Sequence, residues 1–362
     1  MTIELQDIVK VFGKKIAVDH LDLTVEEGAF TVLLGPSGCG KTTTLRMIAG
    51  LEKPETGEIM LGGRRVTHMT PKERGVAMVF QDYGLYPHMT VFDNVGFPLK
   101  ISKTPKEEII TRVNGMLERL NISELATRKP AQISGGEKQR VSLARALVRS
   151  PSVLLMDEPL SNLDAILRVK MRTEIKTLHQ EIHTTTLYVT HDQVEALSLG
   201  TVIVVMDKGK IEQCASPTDI YYDPMTRFVA QFVGSPSMNF IKVSCTQYNS
   251  SLVLKADGVN LTLAPKYAAK LLANQVDQEL IIGVRPEHFT VSSEINSEGF
   301  QGDIKIIEPL GKDHYLHVNV GGEEFIVRTN PEETFHVGTL IQLLPTPQYI
   351  YFFDITTGKR IK

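Results

Sequence analysis

Residues 35–42 read Gly35-Pro36-Ser37-Gly38-Cys39-Gly40-Lys41-Thr42, glycines spaced to bend a chain around an anion and followed at once by an ammonium and a hydroxyl. The segment lies between the apolar run Phe30 to Leu34 and a stretch of helical spacing, Thr43 to Ala49. A strand that feeds a glycine-rich turn into a helix aims several backbone N–H groups and the positive end of the helix dipole at one point. A nucleoside triphosphate is the expected ligand. Gly35, Gly38 and Gly40 allow close approach of the backbone, Lys41 reaches the β- and γ-phosphates as a point charge, and the Thr42 hydroxyl ligates Mg²⁺. Pro36, Ser37, Cys39 and Thr43 belong to the same cradle, with Cys39 read as a spacer whose modification blocks ATP, not as a nucleophile. The competing reading, a glycine-rich turn capping an ordinary helix, is outweighed by the strand-turn-helix context.

A second element, Ser152-Val153-Leu154-Leu155-Met156-Asp157-Glu158-Pro159, is an apolar strand ending in adjacent carboxylates. Neighbours on a strand point to opposite sides, which predicts separate jobs for the two acids. Asp157 is expected on the Mg²⁺ side, directly or through metal-bound water, and Glu158 is expected to polarise the attacking water. Capping of a following helix is the alternative for both. In the third element, Ser134-Gly135-Gly136-Glu137-Lys138-Gln139-Arg140, Ser134 and Glu137 fit a capping box. Gly135 and Gly136 then expose backbone N–H groups at a second helix start, another potential anion site.

Unbroken apolar runs at Thr31 to Leu34, Val153 to Met156, Leu187 to Val189 and Val202 to Met206, separated by helical stretches, predict a mostly parallel sheet covered by helices. From about 86 to 150 the strand-like runs disappear, and Lys106 to Leu120 and Glu137 to Leu147 have helical spacing; an inserted helical subdomain is expected. The Gly234-Ser235-Pro236-Ser237 stretch ends a helical segment from about Thr218 to Phe232. Beyond it, Val259, Leu261 and Leu263, and later Leu316, Val318 and Val320, alternate with polar residues, the period of half-buried strands. The expected organisation is therefore an α/β unit over 1–235 and a small all-β barrel or sandwich over 236–362.

Composition narrows the function. The 362 residues carry a net charge of −3, which gives no electrostatic footprint for nucleic acid. Three cysteines without metal-ligand spacing suggest neither a disulfide framework nor a zinc site and fit a reducing cytoplasm. The N-terminus lacks the form of a secretion signal, and no apolar run approaches the roughly 20 residues of a membrane span. A membrane role is expected to come through a partner.

The phosphate loop, the Ile133 to Arg140 segment, Leu154 to Pro159, Ser161-Asn162-Leu163-Asp164 and Thr190-His191-Asp192 stand in the order found in ABC-transporter ATPases, which this chain resembles over most of residues 1–235. The resemblance implies a head-to-tail homodimer. Each ATP is then held by the phosphate loop of one copy and by Ser134, Gly135 and Gly136 of the other. It also implies that Gln81 senses Mg²⁺ and the attacking water, that Asp164 belongs to a loop linking the two sites, that His191 contacts the γ-phosphate, and that Phe12 stacks on adenine. Two departures stand out. Phe12 replaces the commoner tyrosine, and Glu137 stands where many members have glutamine, adding negative charge near a triphosphate.

The C-terminal section is similar to the OB-fold regulatory domain of importer ATPases for carbohydrates and glycerol-3-phosphate. The similarity rests on Gly234 to Phe240, Gly283-Val284-Arg285-Pro286-Glu287-His288 and Phe353-Asp354. It implies an energy-supplying subunit at the inner face of the membrane. Its partners would be two membrane-spanning permease subunits and, indirectly, an extracytoplasmic solute-binding protein. The aromatic loop Tyr83 to Met89 is the expected seat for a helix of the permease. Importers of polyamines, ferric ion or molybdate are the alternative cargo classes. A soluble ABC ATPase of DNA repair or translation is disfavoured by the single phosphate loop and the lack of a heptad arm. A non-hydrolytic binding module is disfavoured by intact Lys41, Asp157, Glu158 and His191.

Overall fold

The computed structural model describes residues 1–248, 251–265 and 279–362, and these form two compact units, Met1–Pro217 and Thr218–Lys362. The contact boundary falls at Pro217, ahead of the change from helix to strand at 235 that marks the sections in the sequence. The segment between them holds two short helices, α8 (Pro217–Tyr222) and α9 (Arg227–Phe232), separated by Asp223-Pro224, where proline denies the helix a backbone donor.

The first unit begins with strands β1 (Ile3–Phe12) and β2 (Lys15–Val25), which pair antiparallel. Strand β3 (Phe30–Leu34) and helix α1 (Lys41–Ala49) flank the phosphate loop, followed by β4 (Thr56–Leu61), β5 (Arg64–Arg65), the short α2 (Pro71–Arg74) and β6 (Ala77–Val79). Next come α3 (Val91–Ile101), α4 (Lys106–Arg119) and α5 (Gly135–Leu147), with no strand between β6 and β7 (Val153–Asp157). The unit closes with α6 (Ala165–Ile182), β8 (Thr185–Thr190), α7 (Gln193–Leu199), β9 (Val202–Asp207) and β10 (Lys210–Ala215).

The core sheet runs β10-β9-β3-β8-β7-β6, parallel except for β10. Every residue of β3 and β8 is buried, as expected of strands covered on both faces. A second sheet, β2-β1-β4-β5, is antiparallel and alternates inward and outward residues along β2. Its apolar face shares one core with α1 and the inner strands, through Leu5, Leu23, Leu45, Ile48 and Val204 among others. The P-loop helix is thus clamped between two sheets.

In the second unit the strands from Asn239–Tyr248 to Arg360–Ile361 form an eleven-stranded antiparallel assembly among the described residues. Val259, Leu261, Leu263, Leu316, Val318 and Val320 all face its core, together with Phe300 and Phe325. Gly321 and Gly322, both at positive φ (56° and 88°), turn the strand at Val320 directly against Glu323, the two-residue hairpin that glycine permits without steric penalty.

Candidate functional site

The loop after β3 is held against the neighbouring strands so closely that side chains are excluded. A Cβ on Gly35 would lie 2.2 Å from the Met206 carbonyl oxygen, and one on Gly40 2.4 Å from that of Ala17. Gly38 and Gly40 also adopt positive φ, 78° and 108°. Gly40 is the N-cap of α1 and offers it no side-chain acceptor, which leaves the first-turn N–H groups directed at whatever occupies the loop.

A cavity of about 280 Å³ opens there. Phe12, Ser37, Gly38, Gly40, Lys41, Thr42, Thr43 and Glu158 line it, and so do Lys15 and Ala17, which the sequence did not single out. Gly40 signals in the sequence that some segment approaches closely; only the fold reveals that the segment is β2. Phe12 is 48% exposed at the end of β1, with the Lys10 ammonium 4.9 Å from its ring centroid. Lys41 is buried, and its ammonium donates to the carbonyls of Gly35 (2.7 Å) and Pro36 (2.9 Å). Cys39 is buried behind the loop, with its thiol pKa pushed up by burial and partly pulled back by Lys41, which suits an inert spacer.

Beside the cavity, the Thr42 hydroxyl that lines it donates to Asp157 Oδ1 at 2.9 Å. Burial raises the Asp157 pKa, the Thr42 hydrogen bond opposes this, and the neighbouring Glu158 charge raises it further. A carboxylate so placed gains from a cation. No cluster of three or more metal-binding side chains exists among the described residues, a poor cage for a resident metal but a fit for Mg²⁺, which takes one or two protein oxygens and completes its shell with phosphates and water.

Glu158 does not follow the strand alternation expected for it. β7 ends at Asp157, and Glu158 turns off it at φ 43° while its N–H donates to the Val189 carbonyl at 3.0 Å. This left-handed conformation is uncommon for a residue with a side chain, and a hydrogen bond to the next strand holds it. The turn, not the pleat, separates the two acids. It brings Glu158 Oε1 to 3.2 Å from His191 Nδ1, on the loop after β8.

The other sequence candidates lie apart. Gln81 is exposed, and its carbonyl accepts a hydrogen bond from the Asn162 amide at 3.0 Å, so the loops that follow the paired strands β6 and β7 are tied together. Asp164 caps α6 through the Leu167 N–H at 3.0 Å. Ser134, Gly135 and Gly136 open α5 and line no part of the cavity of their own chain. The capping box is present there, with the Ser134 N–H donating to Glu137 Oε2 at 2.7 Å. The loop from Tyr83 to Met89 is anchored from below: the buried Asn94 amide and Tyr86 exchange hydrogen bonds, and Arg145 donates to the Gly84 carbonyl at 2.6 Å.

Residues 18–161 match the family described as ABC transporter, residues 234–289 the MalK OB fold domain and residues 282–353 the TOBE domain. The chain is 45% identical to the trehalose/maltose import ATP-binding protein MalK of Thermococcus litoralis, over 99% of both chains. It is 44% identical to an sn-glycerol-3-phosphate import ATP-binding protein, UgpC 2, of Agrobacterium fabrum, over 99% of this chain and 94% of that one. This chain is an ABC importer ATPase. The fold agrees: the dimeric ABC transporter cassette MJ0796 superimposes with a TM-score of 0.54 at 32% identity, over 59% of this chain and 98% of that one. In this ATPase residues 234–353 of the second unit are therefore the OB-fold and TOBE region.

Proposed function

We propose that this ATPase is the energy-supplying subunit of an importer for a carbohydrate or sugar phosphate, working as a head-to-tail homodimer on two membrane-spanning subunits. The trehalose/maltose and sn-glycerol-3-phosphate importers among its relatives support the cargo class. No helix among the described residues is long and apolar enough to cross a membrane; in this reading the translocation path belongs to the other subunits. The anchored Tyr83 to Met89 loop is the proposed seat of their coupling helix; in this reading the chain works at the inner membrane face, with a solute-binding protein acting on the far side.

The observation that carries the hydrolytic reading is the Glu158–His191 pair, 3.2 Å apart, with Glu158 lining the cavity that also holds Lys41 and Thr42. Thr42 and Asp157, with Gln81 as the sensor, are the residues that would hold Mg²⁺, which when bound would neutralise phosphate charge. Phe12 stacks on the base. Backbone N–H groups from Gly38 to Thr43 and the Lys41 ammonium, swung from its carbonyl partners, hold the phosphates. Glu158 takes the proton from the attacking water. His191 is oriented through Nδ1 by Glu158, which leaves Nε2 for the γ-phosphate. Ser134, Gly135 and Gly136 of the second copy close the pocket, and Asp164 lies on the loop between the two sites.

Glu158→Gln keeps every proposed phosphate contact and removes the base. It is expected to bind MgATP near the wild-type affinity, accumulate as an ATP-bound dimer on gel filtration and hydrolyse at least about 10²-fold more slowly. Wild-type turnover in this variant would refute the assigned base. Copurification from solubilised membranes, followed by uptake assays with a panel of sugars, tests partner and cargo together; uptake of a polyamine or metal ion instead would move the chain to the alternative class.

A further inference from the structure

Behind His191 lies a polar network, buried at Glu195, Tyr188 and Thr190 and partly exposed at Arg168 and Asp192, that none of the roles above uses. Glu195, on α7, is 3% exposed, and its Oε2 accepts hydrogen bonds from the Thr190 hydroxyl (2.7 Å) and the Tyr188 hydroxyl (2.8 Å). Its other oxygen lies 4.0 Å from Nε of Arg168 on α6. The same guanidinium approaches Asp192 Oδ2 at 3.4 Å and donates through Nη2 to the Leu163 carbonyl at 3.1 Å. Asp192 in turn caps α7, taking the N–H groups of Val194 (2.8 Å) and Glu195 (3.1 Å), and its own N–H donates to the Thr190 hydroxyl at 3.0 Å.

The connectivity is specific. Thr190 and Asp192 are the residues on either side of His191, and Leu163 immediately precedes Asp164. We infer that Arg168, braced by buried Glu195, is a positioning residue that locks the His191 loop and the Leu163-Asp164 loop into one rigid piece and so fixes the imidazole against Glu158. A guanidinium suits the task because its two terminal nitrogens reach Asp192 and the Leu163 carbonyl at once from a rigid fork whose charge also faces Glu195, which a lysine ammonium on a flexible stem does not. Burial raises the Glu195 pKa and the Thr190 and Tyr188 hydroxyls draw it back down, an arrangement kept only where all members stay in place. The inference rests on the hydrolytic reading above.

The test is a cycle in the full-length chain using Arg168→Met, Arg168→Lys and His191→Ala. Arg168→Met is expected to lower kcat for ATP hydrolysis about tenfold to 10²-fold, as misplacement of a reacting group by about an ångström does, while MgATP affinity stays within about twofold. Arg168→Lys restores charge but not the forked reach to Asp192 and the Leu163 carbonyl, and recovers only part of the rate. Combined with His191→Ala, Arg168→Met is expected to add less than about twofold, because its effect passes through that imidazole. Where His191→Ala is too slow to measure, the side-chain signals of ¹³C-labelled histidine report directly: Arg168→Met shifts the His191 resonance and leaves that of the distant, exposed His68 in place.

An unchanged kcat, full additivity with His191→Ala, or an unmoved His191 signal each overturns the inference while leaving the function standing. A wild-type chain that binds but never hydrolyses ATP overturns both. Loss of the fold in Arg168→Met is detected by its denaturation midpoint, and Arg168→Lys together with Glu195→Gln then carries the same cycle.

Discussion

Two helices in this ATPase begin with glycine and an anion-binding geometry, yet their ends are finished in opposite ways. α1 starts from Gly40, with no side-chain cap, no acid in its first turn and Lys41 as its first residue. α5 starts from Ser134, whose hydroxyl and backbone are closed by Glu137 in a complete capping box. An open N-terminus leaves all its first-turn N–H groups and the positive dipole end for a ligand, whereas the box at α5 satisfies the Ser134 and Glu137 N–H groups within the chain and leaves those of Gly135 and Gly136. α1 is therefore built to be completed by phosphate, and α5 to be stable before any anion arrives. That suits the proposed dimer, in which the phosphate loop holds nucleotide first and the α5 end reaches it only on closure.

The contrast is broken most directly at Lys41. Lys41→Ala removes the only cation of the α1 first turn and leaves the Gly35 and Pro36 carbonyls without their ammonium donor. Charge-assisted hydrogen bonds contribute about 1.5–3 kcal/mol each, so MgATP binding by calorimetry is expected to weaken roughly tenfold to 10²-fold. Affinity equal to wild type would mean that the open helix end alone holds the phosphates and that the cation is incidental.

How far each end was legible in the sequence follows the same division. Both glycine motifs, the capping box and the apolar strands at Val153 and Val202 carry their signals locally, in spacing that a few neighbouring residues define. What stayed hidden depends on distant chain segments. Lys15 and Ala17 reach the cavity because the second sheet folds over α1, and nothing in the first strands announces it. Arg74 sits in a Pro-Lys-Glu-Arg run that looks solvent-facing, yet it is buried and donates to the carbonyls of Met47 and Ile48 at the far end of α1. Arg285 within the Gly283 to His288 motif is compatible with a simple turn; it is fully buried, stacks on Tyr221 at 3.8 Å and donates to carbonyls of Tyr221 and Val233. Charged residues carry no periodic signal of burial, so their partners emerge only with the tertiary fold.

Ser134→Ala tests the capped end. It removes the hydroxyl that accepts from the Glu137 N–H and is expected to cost about 1 kcal/mol of stability in denaturant unfolding. MgATP affinity of the isolated subunit should remain unchanged, since Ser134 lines no part of its own cavity. Hydrolysis, which in the proposed dimer draws on the α5 start of the second copy, should fall with the loss of that cap. A drop in monomer affinity would show that the two helix ends are not independent and would erase the distinction drawn between them.

The smallest effect sharpens the comparison best, because Glu137→Gln keeps the capping geometry and deletes only the charge. Glutamine still offers an oxygen to the Ser134 N–H. In the native chain the Ser134 backbone N–H, then its hydroxyl, hold the Glu137 carboxyl below its ordinary value of 4.5, with Arg128 and Arg140 adding a minor attraction. A carboxylate whose pKa is lowered on folding stabilises the fold above its unfolded value, and that contribution drains away as pH falls through the lower folded value. The difference in unfolding free energy between wild type and Glu137→Gln should therefore amount to a few tenths of a kcal/mol at neutral pH, given solvent screening. It should shrink once the pH drops below about 4.5. A pH-independent difference would assign the effect to shape instead of charge. The helix dipole would then have no part in making α5 self-sufficient, and its contrast with α1 would rest on hydrogen bonds alone.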